Sequence, residues 1–169
     1  MAIQPKKYKQ INEALKWVCE AETTDELRNR VRAVSTGNSV LMRFLAWGVG
    51  YEAGITGLPE GQPPVKNEGL PIDMADSNIT QEFRRLVQFL PGGAFQRVSS
   101  VRREDVWVQI LQGIHQDERA LLTAVKDVKL LDLYPKLADV LEDFLVGWKK
   151  PEVKKKTVSK KSEKQSADG

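Results

Sequence analysis

Apolar residues recur at helical spacing through most of this chain, and nowhere do they alternate as the inner face of a strand would. In YKQINEALKWVCEA, residues 8–21, Ile11, Ala14, Leu15 and Val18 fall at i, i+3, i+4 and i+7, one stripe of an amphipathic helix. TTDELRNRVRAV (23–34) opens with Thr and Asp, whose side-chain oxygens suit the orphan amides of a helix start, and turns Leu27, Val31 and Val34 inward. After the break TGN (36–38), SVLMRFLAWGVG is apolar on most sides, interrupted only by Arg43, as a helix at the centre of a core should be.

The helical pattern resumes at Asn78. NITQEFRRLVQFL aligns Ile79, Phe83, Leu86, Val87 and Leu90 before PGG ends it, and SSVRREDVWVQILQGI aligns Val106, Trp107, Ile110, Leu111 and Ile114. QDERALLTAVKDVKL aligns Ala120, Leu121, Ala124, Val125 and Val128. YPKLADVLEDFLVGW carries its proline where a first helical turn tolerates one and aligns Leu137, Val140, Leu141, Phe144, Leu145 and Trp148. The pattern predicts an all-α fold of about seven helices in a single domain, residues 1–148. Between the third and fourth helices, residues 52–74 hold four glycines and four prolines, which excludes a helix or a central strand there. This stretch is expected to be a mobile strap across the surface.

Charge divides the chain. Residues 149–169 contain Lys149, Lys150, Lys154, Lys155, Lys156, Lys160, Lys161 and Lys164 against three acids, a net of +5, which leaves the remaining 148 residues at −2. This lysine- and serine-rich segment buries too little apolar surface to offset the entropy of ordering, and it is expected to be a disordered tail. No apolar run approaches the ~18 residues of a membrane span. The start MAIQPKKYKQ lacks the apolar stretch of a secretory signal, and the single Cys19 excludes an internal disulfide. The expected setting is a reducing cytoplasm, with no membrane partner.

Candidate chemistry is sparse. The only histidine, His115, stands in GIHQDERALL where one stripe ends at Ile114 and the next begins. Gly113 suits the left-handed residue that closes a helix, and Glu118, three residues after His115, is placed to reach back to the cap amide. A metal or acid–base site at His115, Asp117 and Glu118 is the alternative, but one Cys and one His do not make a zinc set. The reading favours a corner between helices, with no metal and no cofactor. Cys19 sits among Trp17, Val18 and Ala21, as an inert thiol does. GVGYEAG (48–54) imitates a dinucleotide-binding loop only loosely and follows a helix rather than a strand. The pairs Arg84–Arg85 and Arg102–Arg103 read as solvated helix faces or ion-pair partners, with anion or protein docking as the functional alternative. Trp148, at the edge of the tail, is placed to serve an interface. An enzyme is the function class least expected.

The stretch WVQILQGIHQDERALLTAVKDVKLLDLYPKL, with EALKWVCEAETTDEL and EFRRLVQFL before it, resembles a family of small uncharacterised all-helical proteins encoded by large tailed bacteriophages. The resemblance covers residues 8–137 approximately. In those relatives the tryptophan-led helix ends in the same histidine corner, often with Pro after the His where this chain has Gln116. The resemblance implies a phage product in a bacterial cytoplasm and no active site. The expected function is therefore non-enzymatic binding of a host or phage protein during infection. The alternatives are a replication or transcription accessory that holds nucleic acid non-specifically through the lysine tail, and a structural component of the virion.

Overall fold

The computed structural model describes residues 10–65 and 75–150; among them are seven α-helices and no strand. These are α1 (Ile11–Cys19), α2 (Thr24–Ser35), α3 (Ser39–Gly48), α4 (Ile79–Leu86), α5 (Ser100–Gly113), α6 (Gln116–Lys126) and α7 (Leu130–Leu133). 3-10 turns occupy Val87–Phe89, Ala94–Arg97, Pro135–Asp139 and Leu141–Asp143. The chain thus adopts the expected all-α fold. Tail residues 151–169 and strap residues 66–74 lie outside the described residues.

Helix starts are set by side chains that satisfy an orphan amide, each worth about 1 kcal/mol. Thr23 accepts the Glu26 N–H at 3.1 Å, Asn38 that of Leu41 at 3.0 Å, Asn78 that of Gln81 at 2.9 Å and Ser99 that of Arg102 at 3.2 Å. α3 is central, as its composition requires. Leu41, Phe44, Leu45, Ala46, Trp47 and Gly48 are all buried, and the helix packs against α2, α6 and α7. Gly48 permits the close crossing with α7, because a Cβ added there would stand 2.6 Å from Leu130 Cβ. Trp47 stacks on Phe83 of α4 with ring centroids 5.7 Å apart, and the Arg43 guanidinium lies over both rings. The one charged interruption of α3 is thereby accommodated through cation–π contact.

Two stripes differ from the expected ones. The helix expected from Tyr134 onward is instead a pair of 3-10 turns, with Tyr134, Leu137 and Val140 spaced by three, the repeat at which 3-10 side chains eclipse. The apolar side chains still reach the core: Leu137, Val140, Leu141 and Leu145 are buried. On α6 the buried stripe is Glu118, Leu121, Leu122 and Val125, whereas Ala120 and Val128 are exposed.

α6 ends in a Schellman turn. The Lys129 N–H reaches the Ala124 carbonyl at 2.7 Å, and the Val128 N–H reaches that of Val125 at 3.3 Å. The left-handed residue of this turn is Val128, at φ 57°, where glycine is usual. Gly113 does not adopt that conformation. α5 ends on it with ordinary helical geometry and leaves through extended Ile114.

Candidate docking site

The strap leaves α3 at Gly50, and its described part, residues 52–65, is tied down at every few residues rather than loose. Ile55 is buried in the core. The Thr56 N–H donates to the Phe89 carbonyl at 3.1 Å, and Gln96 Nε2 donates to both the Thr56 and Phe89 carbonyls at 2.9 and 2.7 Å. Arg103 binds three backbone carbonyls: Nε to Phe95 at 2.8 Å, Nη1 to Gly57 at 3.0 Å and Nη2 to Val98 at 3.1 Å. Its planar fork suits this task as a lysine would not. Gly57, at φ +83°, lies so close that a Cβ would meet Arg103 Nη1 at 3.1 Å.

The C-terminal turn of α6 holds the next stretch. Buried Lys126 pairs with Asp127 and donates to the Pro59 carbonyl at 2.8 Å. Asp127 in turn accepts the Gly61 N–H at 2.9 Å, and Lys129 pairs with Glu60 at 2.7 Å. These described residues, expected to be mobile, follow a path fastened to the body. Their fastenings are side chains of distant helices, so composition alone did not reveal them.

Fixed in this way, the strap forms a cleft of about 110 Å³ against α5, walled by Leu58, Pro59, Pro63, Glu104, Trp107 and Val108. Pro63, Glu104 and Val108 also line an open groove of about 510 Å³ that runs past Val101, Arg102 and Asp105 at the start of α5. The lining is mainly apolar, and Val101 is 77% exposed at its edge. Two polar groups on these walls have unused capacity. Trp107 is buried and its indole N–H meets no acceptor, an omission that costs about 1–3 kcal/mol. Half-buried Glu104 has no ion-pair partner among the described residues. Nearby, Glu60 on the cleft is paired with Lys129, and Asp105 on the groove lies 3.8 Å from Arg102, so Glu104 is the carboxylate left without a cation. Such a surface suits an extended segment that offers apolar contact and a cation.

The residues singled out from sequence are dispersed. Arg102 lines the groove, and Arg103 latches the strap. Arg84 and Arg85 are exposed on α4 away from the cleft walls, Arg85 paired with Glu82 at 3.0 Å. Trp148 packs half-buried on the core, next to exposed Lys149 and to Lys150, which pairs with Asp139 at 2.9 Å. Lys154, Lys155, Lys156, Lys160, Lys161 and Lys164 lie outside the described residues.

His115 is the N-cap of α6, its Nδ1 accepting the Asp117 N–H at 3.1 Å. Glu118 does not reach back to the cap. It is fully buried, and Oε1 accepts the N–H of Ile79, the first residue of α4, at 3.0 Å. Burial pushes its carboxyl up to about 7, while the amides of Ile79 and of Ile11, which begins α1, pull it down, and Glu13 raises it. Glu118 thus forms a buried tie between helix starts; no group of three or more His, Cys, Asp or Glu side chains that could hold a metal ion occurs among the described residues. The Cys19 thiol is pushed up to about 11 by burial, opposed by Lys136, which leaves little nucleophilic thiolate at neutral pH. No helix among the described residues is long and apolar enough to cross a membrane.

No curated protein and no solved structure matches this chain. Residues 15–132, more than half of the sequence, match a family of unknown function, DUF6433, and span α2 to α6 with the strap and cleft between them. The chain therefore belongs to the DUF6433 family.

Proposed function

We propose that this protein is a non-enzymatic bacteriophage accessory protein. It acts in the infected bacterial cytoplasm by binding a host or phage protein through the cleft between the strap and α5. The observation that carries this reading is the cleft itself: a mainly apolar site with an unpaired carboxylate, Glu104, on its wall. Preorganisation matters because a strap already fastened loses little further entropy on binding. The occupant this chemistry suits is a lysine- or arginine-bearing, partly apolar segment of the partner. The resemblance to small phage proteins supplies the setting.

A second reading is favoured by the charge partition. The net +5 of residues 149–169 supplies phosphate contacts for sequence-independent binding of nucleic acid. Pull-down of the full chain from infected-cell lysate, with and without nuclease, separates the two. A partner retained after nuclease supports protein docking. Capture abolished by nuclease supports the tail reading instead. Placement in the virion would show as the chain co-sedimenting with purified particles.

A further inference from the structure

The occupant described above has a counterpart in the chain itself. We infer that the lysine-rich C-terminal segment folds back into the strap–α5 cleft and shields it until a partner displaces it. This rests on the docking reading and adds a regulator to it. The charges are complementary: Glu104 on the cleft wall has no ion-pair partner among the described residues, Glu60 and Asp105 flank it in exposed pairs with Lys129 and Arg102, and the segment from Lys149 onward nets +5. The chemistry also fits. The aliphatic stem of a lysine packs against apolar walls while its ammonium stays at the acidic rim. Val153 and Val158, interleaved with the lysines, offer small apolar anchors.

Reach is sufficient. Fully extended, a chain of 19 residues, the number beyond Lys150, spans at most roughly 60–70 Å, whereas a body of this size has a radius of gyration near ~15 Å. A tether of that length converts docking into an intramolecular event, so modest contacts suffice. Released, the same lysines become available to other partners.

The test is zero-length carbodiimide coupling of the dilute full chain, followed by peptide mass spectrometry of the monomer. The expected result is bonds from Lys154–Lys164 concentrated on Glu60, Glu104 and Asp105, with yields that fall as salt screens the contact. In Glu104→Gln, coupling of the same lysines to Asp105 should fall by roughly two- to fivefold, the effect of losing one partly exposed ion pair. Bonds spread evenly over the acids of the body would overturn the inference. Bonds found only between two copies would overturn it too, by placing the segment in a neighbour's cleft. Partner capture tests the docking reading separately, so the two can fail independently.

Discussion

The carboxylate of Glu118, in the first turn of α6, accepts the backbone N–H of Ile79, the residue that begins α4, at 3.0 Å. One buried carboxyl thus satisfies an orphan amide 39 positions away in sequence, at the start of that helix. Burial raises its pKa to about 7, against an ordinary value of 4.5. Between those two values the native state keeps a proton that the unfolded chain has released. The contribution of Glu118 is therefore most favourable below about pH 4.5, declines as pH rises towards 7 and is flat above. Relative to Glu118→Gln, which does not titrate, wild type should lose on the order of 3 kcal/mol across that interval. Urea unfolding of both proteins from pH 4.5 to 8 measures this; parallel profiles would count against it.

Val128 is strained. A β-branched residue in the left-handed region costs about 1–2 kcal/mol, and the Schellman turn at the end of α6 imposes that conformation. Val128→Gly relieves the strain but returns ~0.5–1 kcal/mol through the freer unfolded chain. A net gain of about 0.5–1 kcal/mol is expected, seen as a melting temperature several degrees higher. A loss would indicate that the half-exposed side chain makes contacts worth more than the strain.

Two glycines should respond in opposite directions to alanine. Gly48→Ala places a Cβ 2.6 Å from Leu130 Cβ and forces α3 from α7, a loss of about 1–3 kcal/mol. Gly113→Ala meets nothing closer than Ser77 Cβ at 3.9 Å in ordinary helical backbone and should gain up to ~1 kcal/mol. Thermal melts of both variants check the pair.

Arg103 should prove a latch rather than a surface charge. Arg103→Lys keeps the charge but cannot span the carbonyls of Phe95, Gly57 and Val98, so the strap should open more readily, by about 2 kcal/mol. Faster limited proteolysis between Gly57 and Gly61 is the expected signature. Cleavage at the wild-type rate would contradict it.

The fold was legible because the apolar stripes lie within single helices, where spacing alone reports a buried face. Glu118 shows where that reading stops. It occupies the first position of the i, i+3, i+4, i+7 set completed by Leu121, Leu122 and Val125, yet as an acid beside a cap it suggested local capping. Its partner is remote, so sequence could not show it. The strap is similar: Gly and Pro correctly excluded helix and strand, but its fastenings come from Gln96, Arg103, Lys126, Asp127 and Lys129, all beyond α4. The cleft depends on those fastenings. Arg102 was singled out and lines the groove, whereas Glu104 was not singled out and Trp107 read as core.

The most direct measurement is the dissociation constant of the nuclease-resistant protein partner for wild type and for Glu104→Lys. Reversing this half-buried charge on the cleft wall meets a cationic segment with repulsion in place of attraction. Affinity should fall tenfold or more, about 1.4 kcal/mol, and the difference should narrow at high salt. The melting temperature should stay within a few degrees of wild type, as for a substitution outside the core. Equal affinity for the two proteins would contradict docking at the cleft.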